Sequence, residues 1–250
     1  MHSPVTLSIV SHGDASKIKR LLESIRMHEQ ADQFHVIVTD NLGQDFTEPD
    51  IASWASFTIV RNRRSQGFAQ NHNRAFGMAV SDYFCLLNPD VVFEQEVFSS
   101  LIELSESGEA DIVAPLIVDS CGVVQDSFRD LPGPLEIIRR RLPQYQHRPA
   151  PADPRGIVRP DWIAGMFMLI RSETYRELGG LNEKYRLYFE DVEFCTRARL
   201  AGMRLGVYTD VRVRHDAHRA SRKKLIYLLW HLQSAIKFFT SPTYRNAIQK

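Results

Sequence analysis

The chain has 250 residues, of which 44% are hydrophobic, and its 31 basic and 30 acidic side chains leave a formal net charge of +1. This composition is typical of a globular protein with a full hydrophobic core, and an α/β fold of this length is commonly a single domain. The balanced charge indicates no particular partner, and we expect no nucleic-acid binding.

The three cysteines have neither paired nor metal-type spacing, which argues against a disulfide framework or a zinc site. The first apolar run, residues 5–10, is too short for the core of a signal peptide. No stretch reaches the roughly 18 continuous apolar residues of a membrane-spanning helix. We therefore expect a cytoplasmic protein.

The first half of the chain alternates between strand-like and helix-like patterns. Apolar runs rich in β-branched residues predict buried strands at 5–10, 35–39, 57–60 and 83–87. Apolar residues at helical spacing predict one helix around 18–25 and another at 69–80. This βα alternation predicts a mostly parallel sheet, in which ligands bind at the carboxyl ends of the strands.

Polar residues stand at three of these strand ends. Asp40 is placed to accept hydrogen bonds from a base or a ribose, or else it closes an Asx turn. Asn88-Pro89-Asp90 is an ordinary turn pattern. At the end of a buried strand, however, it also presents oxygen ligands suited to a divalent ion that shares diphosphate oxygens. The remaining polar or glycine residues at these ends are His12, Gly13 and Asn41.

A helix is predicted to begin just after Gly67, where free amide groups and Arg74 suit an anion, although a plain helix entry also explains the glycine. Residues 132–160 contain seven of the twelve prolines and six arginines. They predict an irregular crossover or lid with phosphate donors, or a solvated basic loop. A strand at 162–170 and helices at 174–178 and 192–201 follow.

Three carboxylates, Glu190, Asp191 and Glu193, fall within four positions and follow Tyr188 and Phe189. Crowded, partly shielded carboxylates acquire raised pKa values, which suits a general base or a metal ligand. An ordinary solvated helix surface has the same pattern. We expect Glu193 to be such a surface residue.

The C-terminal part combines basic residues at 212–224 with apolar residues at helical spacing from Leu225 to Phe239. A basic segment before an amphipathic helix predicts contact with an anionic membrane. The alternative is a terminal helix that packs on the catalytic domain or on a second subunit, as in a homodimer.

In this order, the motifs resemble the family 2 glycosyltransferases of the GT-A fold, and especially bacterial rhamnosyltransferase-like enzymes of cell-surface polysaccharide assembly. The resemblance covers roughly residues 5–218. The matching segments are 11–14, Asp40-Asn41, 66–69 with Asn73-Arg74, 87–90, 165–171, 179–183 and 189–197.

The resemblance implies roles for these residues. Asp191 would be the general base, with Glu190 beside it. Asp90 would bind Mg or Mn in the slot of the family's Asp-x-Asp motif, whose first position here is Asn88, and His215 or His218 would complete the metal site. Asp40 would contact the nucleotide base. The other implied substrate-binding residues are Ser11, His12, Gly13, Asn41, Gly67, Asn73, Arg74, Trp162 and Gly165.

We therefore expect a metal-dependent inverting glycosyltransferase that uses a dTDP- or UDP-sugar, with rhamnose as the first candidate, and a saccharide or lipid-linked acceptor. Its catalytic domain would span residues 1–220, divided near residue 115 into nucleotide-sugar and acceptor halves, and residues 221–250 would form the C-terminal helix. It would be cytoplasmic, with peripheral contact at the inner face of the membrane. The alternatives are a nucleotidyltransferase and a non-catalytic sugar-nucleotide-binding protein.

Overall fold

The computed structural model describes residues 5–42, 51–139, 151–215 and 225–249. Two short 3-10 helices, Ala31–Gln33 and Ile51–Ser53, lie before and after the strand Phe34–Asp40. The strands are β1 (Val5–Ser11), β2 (Phe34–Asp40), β3 (Ser56–Arg61), β4 (Tyr83–Leu87), β5 (Val91–Phe93), β6 (Ile112–Val118), β7 (Phe128–Arg129), β8 (Ile157–Val158), β9 (Trp162–Ile163), β10 (Phe167–Arg171) and β11 (Leu205–His215). The helices are α1 (Ala15–His28), α2 (Phe68–Phe76), α3 (Phe98–Glu106), α4 (Pro134–Arg139), α5 (Ser172–Glu177), α6 (Glu190–Leu200), α7 (Leu225–Phe239) and α8 (Pro242–Ala247).

The main sheet has the strand order β3-β2-β1-β4-β10-β6-β11-β5, and β8 pairs with β11. Neighbours among β1 to β4 are parallel, as are β6 and β11. β10 is antiparallel to both β4 and β6, while β5 and β8 are antiparallel to β11. Six strands (β1, β2, β3, β4, β6 and β11) therefore run in one direction and three (β5, β8 and β10) in the other. The prediction of a mostly parallel sheet flanked by helices is confirmed.

The first βα unit follows the sequence pattern closely. Every residue of β1 is buried, and α1 buries the apolar residues that share one face, Ile18, Leu21, Leu22 and Ile25. Removing these side chains from water holds the helix against the sheet. Because β1 pairs in parallel with both β2 and β4, the carboxyl ends of these three strands meet at one edge of the sheet.

Two predicted elements have different bounds in the structure. α2 ends at Phe76 rather than at residue 80, because Gly77 favours helix propagation poorly and Val80 is 77% exposed. The run at 162–170 is two strands, β9 and β10, separated by a turn at Gly165. A Cβ atom on Gly165 would lie 2.9 Å from Cζ of Phe68, so the close approach of these two segments requires glycine.

The proline-rich crossover contains α4 and β8, and residues 140–150 lie outside the described residues. Arg155 and Arg159 both bind Glu109, with N–O distances of 2.6 Å. These two arginines belong to an ion-pair cluster, so the expectation that they serve as phosphate donors is corrected.

α7 packs on the catalytic body through Ser234, Ala235 and Phe238, all of which are buried. Ser234 Oγ donates to Leu187 O at 2.9 Å, and the Phe238 ring lies 5.5 Å from that of Phe189. Across the described ranges, no helix combines the length and the apolar character that crossing a bilayer requires. The proposed division into residues 1–220 and 221–250 stays a prediction.

Candidate active site

Asp40 ends β2 directly beside Ser11 at the end of β1. Its side chain is almost fully buried, and its Oδ1 accepts the Leu42 amide hydrogen at 3.2 Å. The Asp40 Oδ2 atom is also buried and has no hydrogen-bond partner among the described residues. A buried acceptor without a partner is costly, so this atom is a candidate contact for an N–H or O–H group of a ligand.

Asn41 is completely buried and joins β2 to the segment that precedes α2. Its Oδ1 accepts hydrogen bonds from Gln66 N and Asn62 Nδ2, both at 2.8 Å, and its Nδ2 donates to Gln66 O at 3.0 Å. The exposed His12 ring approaches Asn41 Nδ2 at 3.3 Å. Asn41 is therefore engaged by protein groups and positions the edge of the site. Nearby, Gly13 adopts a φ of 88°, which favours glycine.

An open cavity of about 380 Å³ adjoins this edge. Arg74 Nη1 donates to Asn62 Oδ1 at 2.7 Å, which fixes the guanidinium at the cavity wall. None of the described residues that line the cavity is a carboxylate, so their charge favours an anionic group. The lining residues are Arg61, Asn62, Arg63, Arg64, Gln66 and Arg74.

Gly67 precedes α2 and meets the chain just before the acidic cluster. A Cβ atom there would lie 2.7 Å from Arg186 O, and Phe68 N donates to the same oxygen at 3.1 Å. Part of the α2 N-terminus is thus occupied by a protein carbonyl. This contact links the predicted anion site to the loop that leads into α6.

Asn73 holds the turn that follows α5. Its Oδ1 accepts hydrogen bonds from Leu181 N at 2.9 Å and Tyr175 OH at 2.7 Å, and its Nδ2 donates to Leu181 O and Glu183 Oε1. Because both amide atoms have protein partners, we assign Asn73 to positioning this turn rather than to substrate contact.

Asp90 and His215 come together across the sheet, through the antiparallel pairing of β5 with β11. Asp90 Oδ1 lies 3.0 Å from His215 Nε2. Burial raises the pKa of Asp90, but the interaction with His215 and the charge of Lys17 outweigh it and lower the pKa below its usual value. Lys17 Nζ lies 3.9 Å from Asp90 Oδ2. Asp90 is thus held ionised.

Gln125 fixes the tautomer of His215. Gln125 Nε2 donates to His215 O at 2.7 Å, which turns the amide oxygen, Oε1, toward His215 Nδ1 at 2.9 Å. The Nδ1 atom therefore carries a hydrogen, and Nε2 is the ring nitrogen that faces Asp90. A histidine held in this way by a second-layer acceptor is typical of metal ligands.

These residues fit a divalent cation that is also held by its substrate. Asp90 Oδ1 and His215 Nε2 are buried and, apart from each other, have no partner in the described part of the chain, so both are available to an ion. Within the described ranges, no group of three or more histidine, cysteine or acidic side chains could hold a metal. An ion here would therefore take its remaining ligands from diphosphate oxygens and water, as Mg²⁺ commonly does. His218 lies outside the described residues.

The acidic cluster opens α6, whose first helical residue is Glu190 rather than residue 192. Asp191 Oδ2 accepts the Gly165 amide hydrogen at 3.1 Å, and its Oδ1 accepts that of Val192 at 2.8 Å. Burial raises the pKa of Asp191, and these backbone hydrogen bonds partly offset the rise. Backbone donors stabilise the ionised form, as does the helix N-terminus.

Glu190 has a different environment although it is the next residue. It is 4% exposed, and its Oε2 atom has no hydrogen-bond partner in the described part of the chain. Burial and then the charge of Asp191 raise the pKa of Glu190 well above its ordinary value. When two coupled carboxyl groups hold one proton, the proton goes to the group with the poorer solvation. We assign it to Glu190, which leaves Asp191 as the carboxylate.

Tyr188 and Phe189, the two residues before Glu190, both adopt left-handed backbone conformations, with φ values of 70° and 67°. Such conformations cost roughly 1–3 kcal/mol each in non-glycine residues and persist where the surroundings impose them. Contacts with α7 supply those surroundings, since the His231 ring lies within 5.4 Å of both aromatic rings. The strained turn directs Glu190 and Asp191 into the site.

Glu193 is not the surface residue we expected, because it is 2% exposed. Arg197 binds its carboxylate at 2.9 Å and also donates to Gly180 O at 2.7 Å. The pair thus fastens α6 to the turn after α5. Trp162, an implied substrate contact, is also buried, and its indole N–H donates to Asp130 O at 3.2 Å.

Comparison with known proteins agrees with this geometry. The family model described as Glycosyl transferase family 2 matches residues 6–172, which is well over half of the chain. The chain belongs to this family. It is therefore a glycosyltransferase, an enzyme that transfers a sugar in glycan or polysaccharide synthesis.

Two relatives match this glycosyltransferase over most of its length. It is 28% identical to rhamnosyltransferase WbbL of Escherichia coli, over 94% of this chain and 92% of that protein. It is 25% identical to the N-acetylglucosaminyl-diphospho-decaprenol L-rhamnosyltransferase of Mycobacterium tuberculosis, over 92% of this chain and 81% of that one. The expected likeness to rhamnosyltransferases is confirmed.

The mannosyltransferase PcManGT from Pyrobaculum calidifontis, solved in complex with GDP-Man and Mn²⁺, shares the fold of this glycosyltransferase. The TM-score is 0.62 at 17% identity, and the match covers 100% of this chain and 69% of the other. The fold is thus GT-A.

Proposed function

We propose that this glycosyltransferase transfers a sugar, with rhamnose as the first candidate, from a nucleotide diphosphate to a saccharide or lipid-linked acceptor, with inversion at the anomeric carbon. The observation that carries the proposal is the buried pair Glu190 and Asp191, in which both pKa values are raised and Asp191 accepts backbone hydrogen bonds from Gly165 and Val192. An ionised carboxylate held by two backbone N–H groups is suited to general-base catalysis.

Asp191 removes the proton from the acceptor hydroxyl as that oxygen attacks the anomeric carbon from the face opposite the leaving group. The bond between the sugar and the diphosphate breaks in the same displacement, so the configuration inverts. Glu190 remains protonated and adds no charge that would repel the nucleotide diphosphate. Among the described residues, this scheme assigns no side chain as a covalent nucleophile.

Asp90 and His215 would hold a Mg or Mn ion, and Lys17 lies beside them. Such an ion supplies positive charge that stabilises a leaving diphosphate. Asn88 is a neutral ligand where the family motif has Asp, so the metal would depend mainly on Asp90 and His215. The Mn²⁺ in the mannosyltransferase PcManGT supports this assignment.

Asp40 is proposed to bind the base of the donor nucleotide. Its unpartnered Oδ2 is an acceptor, and uracil and thymine each carry a ring N–H, whereas the corresponding ring nitrogen of cytosine is itself an acceptor. This chemistry supports a UDP- or dTDP-sugar. The arginine-lined cavity beside Asn62 adds donors for anionic or carbonyl groups at the same edge.

The names of the relatives support a lipid-linked acceptor, since the mycobacterial protein is named for a diphospho-decaprenol substrate. We accordingly propose that the enzyme acts at the inner face of a membrane. The two alternative functions are not favoured. A nucleotidyltransferase is expected to carry a glycine-rich basic loop after the first strand, and residues 11–14 here are Ser-His-Gly-Asp. A non-catalytic binding protein has no need of the Glu190–Asp191 pair.

A thermal-shift panel of dTDP, UDP, GDP and CDP, each with and without Mn²⁺, tests the donor assignment. A ligand at 100 times its Kd stabilises a protein by about 2.7 kcal/mol, which raises the melting temperature by several degrees. We expect dTDP or UDP to give the largest shift, and Mn²⁺ to increase it. Transfer of the sugar from dTDP-rhamnose to a diphosphate-linked lipid acceptor is then followed, and the anomeric configuration of the product is determined. No shift with any nucleotide, or a product with retained configuration, would contradict the proposal.

A further inference from the structure

α7 carries an apolar stripe on the side that faces away from the catalytic body. Leu229, Leu232 and Ile236 recur at spacings of three and four residues and so share one helix face. They are 52%, 51% and 57% exposed, respectively. Leu228, beside them, is 44% exposed. A row of large aliphatic side chains left in water marks a surface that binds something.

The charge of the C-terminal segment in the sequence restricts what that partner can be. Residues 217–250 contain seven arginine or lysine residues and no acidic residue. In the described part, Lys237 lies on the flank of α7, where its ammonium donates to Lys184 O and lies 5.5 Å from the centre of the Tyr185 ring, and Arg186 stacks over the Trp230 ring at 4.8 Å. Apolar residues flanked by cations and by aromatic rings match the interface of an anionic bilayer.

A second copy of the chain fits this surface less well. A two-fold contact through the stripe would bring the same acid-free, basic segment of both copies together, and like charges then repel. An anionic membrane neutralises those charges instead. The charge pattern therefore favours a lipid surface over a homodimer contact.

The inner side of α7 connects this surface to the catalytic residues. Ser234 donates to Leu187 O, and the rings of His231 and Phe238 pack on Phe189, which immediately precedes Glu190. A bilayer bound to the outer side of α7 would lie one helix diameter, about 10 Å, from the turn that presents the proposed base.

We infer that the stripe of Leu228, Leu229, Leu232 and Ile236 is a docking surface for an anionic lipid bilayer, with α7 lying in the plane of the headgroups. This surface deepens the proposed use of a lipid-linked acceptor, because it brings the enzyme to the surface where such an acceptor lies. Its test requires no sugar transfer, so it can fail independently of the proposed function.

Flotation of the full chain with vesicles tests the inference. Wild type is expected to bind phosphatidylcholine vesicles that contain phosphatidylglycerol, to bind pure phosphatidylcholine weakly, and to release as salt rises. L232E/I236E should bind the anionic vesicles at least about tenfold less, because two charges enter the buried face. L232S/I236S, which changes no charge, should bind the anionic vesicles more weakly than wild type and more strongly than L232E/I236E.

The matched control is M27E/V80E, which places two glutamates at apolar residues that are each 77% exposed on other parts of the surface. It should bind vesicles like wild type. The melting temperatures of all variants, measured without ligand, should lie close to that of wild type, which shows that the variants are folded.

Absence of wild-type binding, or equal binding by L232E/I236E and wild type, would overturn the inference. Sedimentation without lipid provides a further check. If wild type is a dimer that L232E/I236E dissociates, and vesicle binding is absent, the stripe is a contact between copies.

Discussion

This glycosyltransferase has two centres of buried carboxyl groups, and the surroundings shift their pKa values in opposite directions. Asp90 faces His215 and Lys17, which lower its pKa in spite of burial. Glu190 and Asp191 are also buried, burial raises the pKa of each, and the charge of Asp191 raises that of Glu190 further. The first centre favours a charged acid that binds a cation. The second favours a proton shared between two acids.

The difference shows that the neighbours, not the residue type, decide what a carboxylate does. At Asp90 the compensating groups are side chains from α1 and β11, namely the Lys17 ammonium and the His215 ring. At Asp191 they are the backbone amides of Gly165 and Val192, which stabilise a carboxylate without supplying a formal charge. A base must release its proton after each turnover, and an acid fixed beside a cation is poorly suited to that cycle.

The largest expected effect tests the second centre. Asp191→Asn should reduce transfer by roughly 10²–10⁴-fold, because the amide cannot accept the acceptor's proton. The thermal shift with dTDP or UDP and Mn²⁺ should be unchanged, since Asp90 and Asp40 are intact. Asp32→Asn, at an exposed position in a 3-10 helix, is the matched control.

The pH dependence of wild-type transfer follows from the same pKa direction. A raised pKa means that Asp191 takes up a proton at a higher pH than an ordinary aspartate. Activity should therefore fall as the pH is lowered through this raised pKa, while nucleotide binding persists. Near-normal turnover by Asp191→Asn would show that another group is the base.

The first centre is tested through Gln125, which touches neither the proposed ion nor the nucleotide. Gln125→Ala should free the His215 ring and weaken Mn²⁺ binding in the presence of dTDP by roughly 10–100-fold. Calorimetric titration of Mn²⁺ measures this directly, and nucleotide binding without metal should not change. Asp90→Ala should abolish Mn²⁺ binding and so sets the largest possible loss. Gln30→Ala, at an exposed position, is the control. Equal Mn²⁺ affinity of Gln125→Ala and wild type would contradict the assigned tautomer.

In the first half of the sheet the edge strand β3 is largely exposed, whereas β1, β2 and β4 were predictable because almost all of their residues are buried. Such strands are continuous apolar runs, and the structure extends the predicted first strand only to Ser11. Since parallel strands end at one edge, the sequence also places Asp40 and Asp90 at that edge. Local hydrophobic pattern and this topological rule were sufficient there.

The rest of the site depends on contacts between distant parts of the chain. Gln125 meets His215 across 90 residues, and neither neighbourhood has a pattern that marks the pair. Glu193 looked exposed because Arg197 follows one turn later, as on a solvated helix. Its burial comes from tertiary packing of α8 against α6, where Thr243 approaches its carboxylate at 3.4 Å. Helical periodicity in the sequence of α6 cannot show that another helix packs over this residue.

The smallest effect on activity is expected at Glu190. Glu190→Gln should retain transfer within about threefold of wild type near neutral pH, because glutamine has the size and charge of the protonated acid that we assign there. Its effect should instead fall on stability. A carboxyl group with a raised folded-state pKa stays protonated after the unfolded chain has lost its proton, so it contributes less stability as the pH rises above the unfolded pKa of about 4.3.

Glutamine has no such pH-dependent loss. The melting temperature of Glu190→Gln should thus match wild type near the unfolded pKa and exceed it increasingly at higher pH, by about 2–4 °C for each 1 kcal/mol. Glu173→Gln, at an exposed position in α5, should show no difference at any pH. If Glu190→Gln instead lost transfer as completely as Asp191→Asn, while Asp191→Asn gained stability with pH, the roles of the two carboxyl groups would be exchanged. The proton would then lie on Asp191, and the contrast between the two centres would persist with a different base.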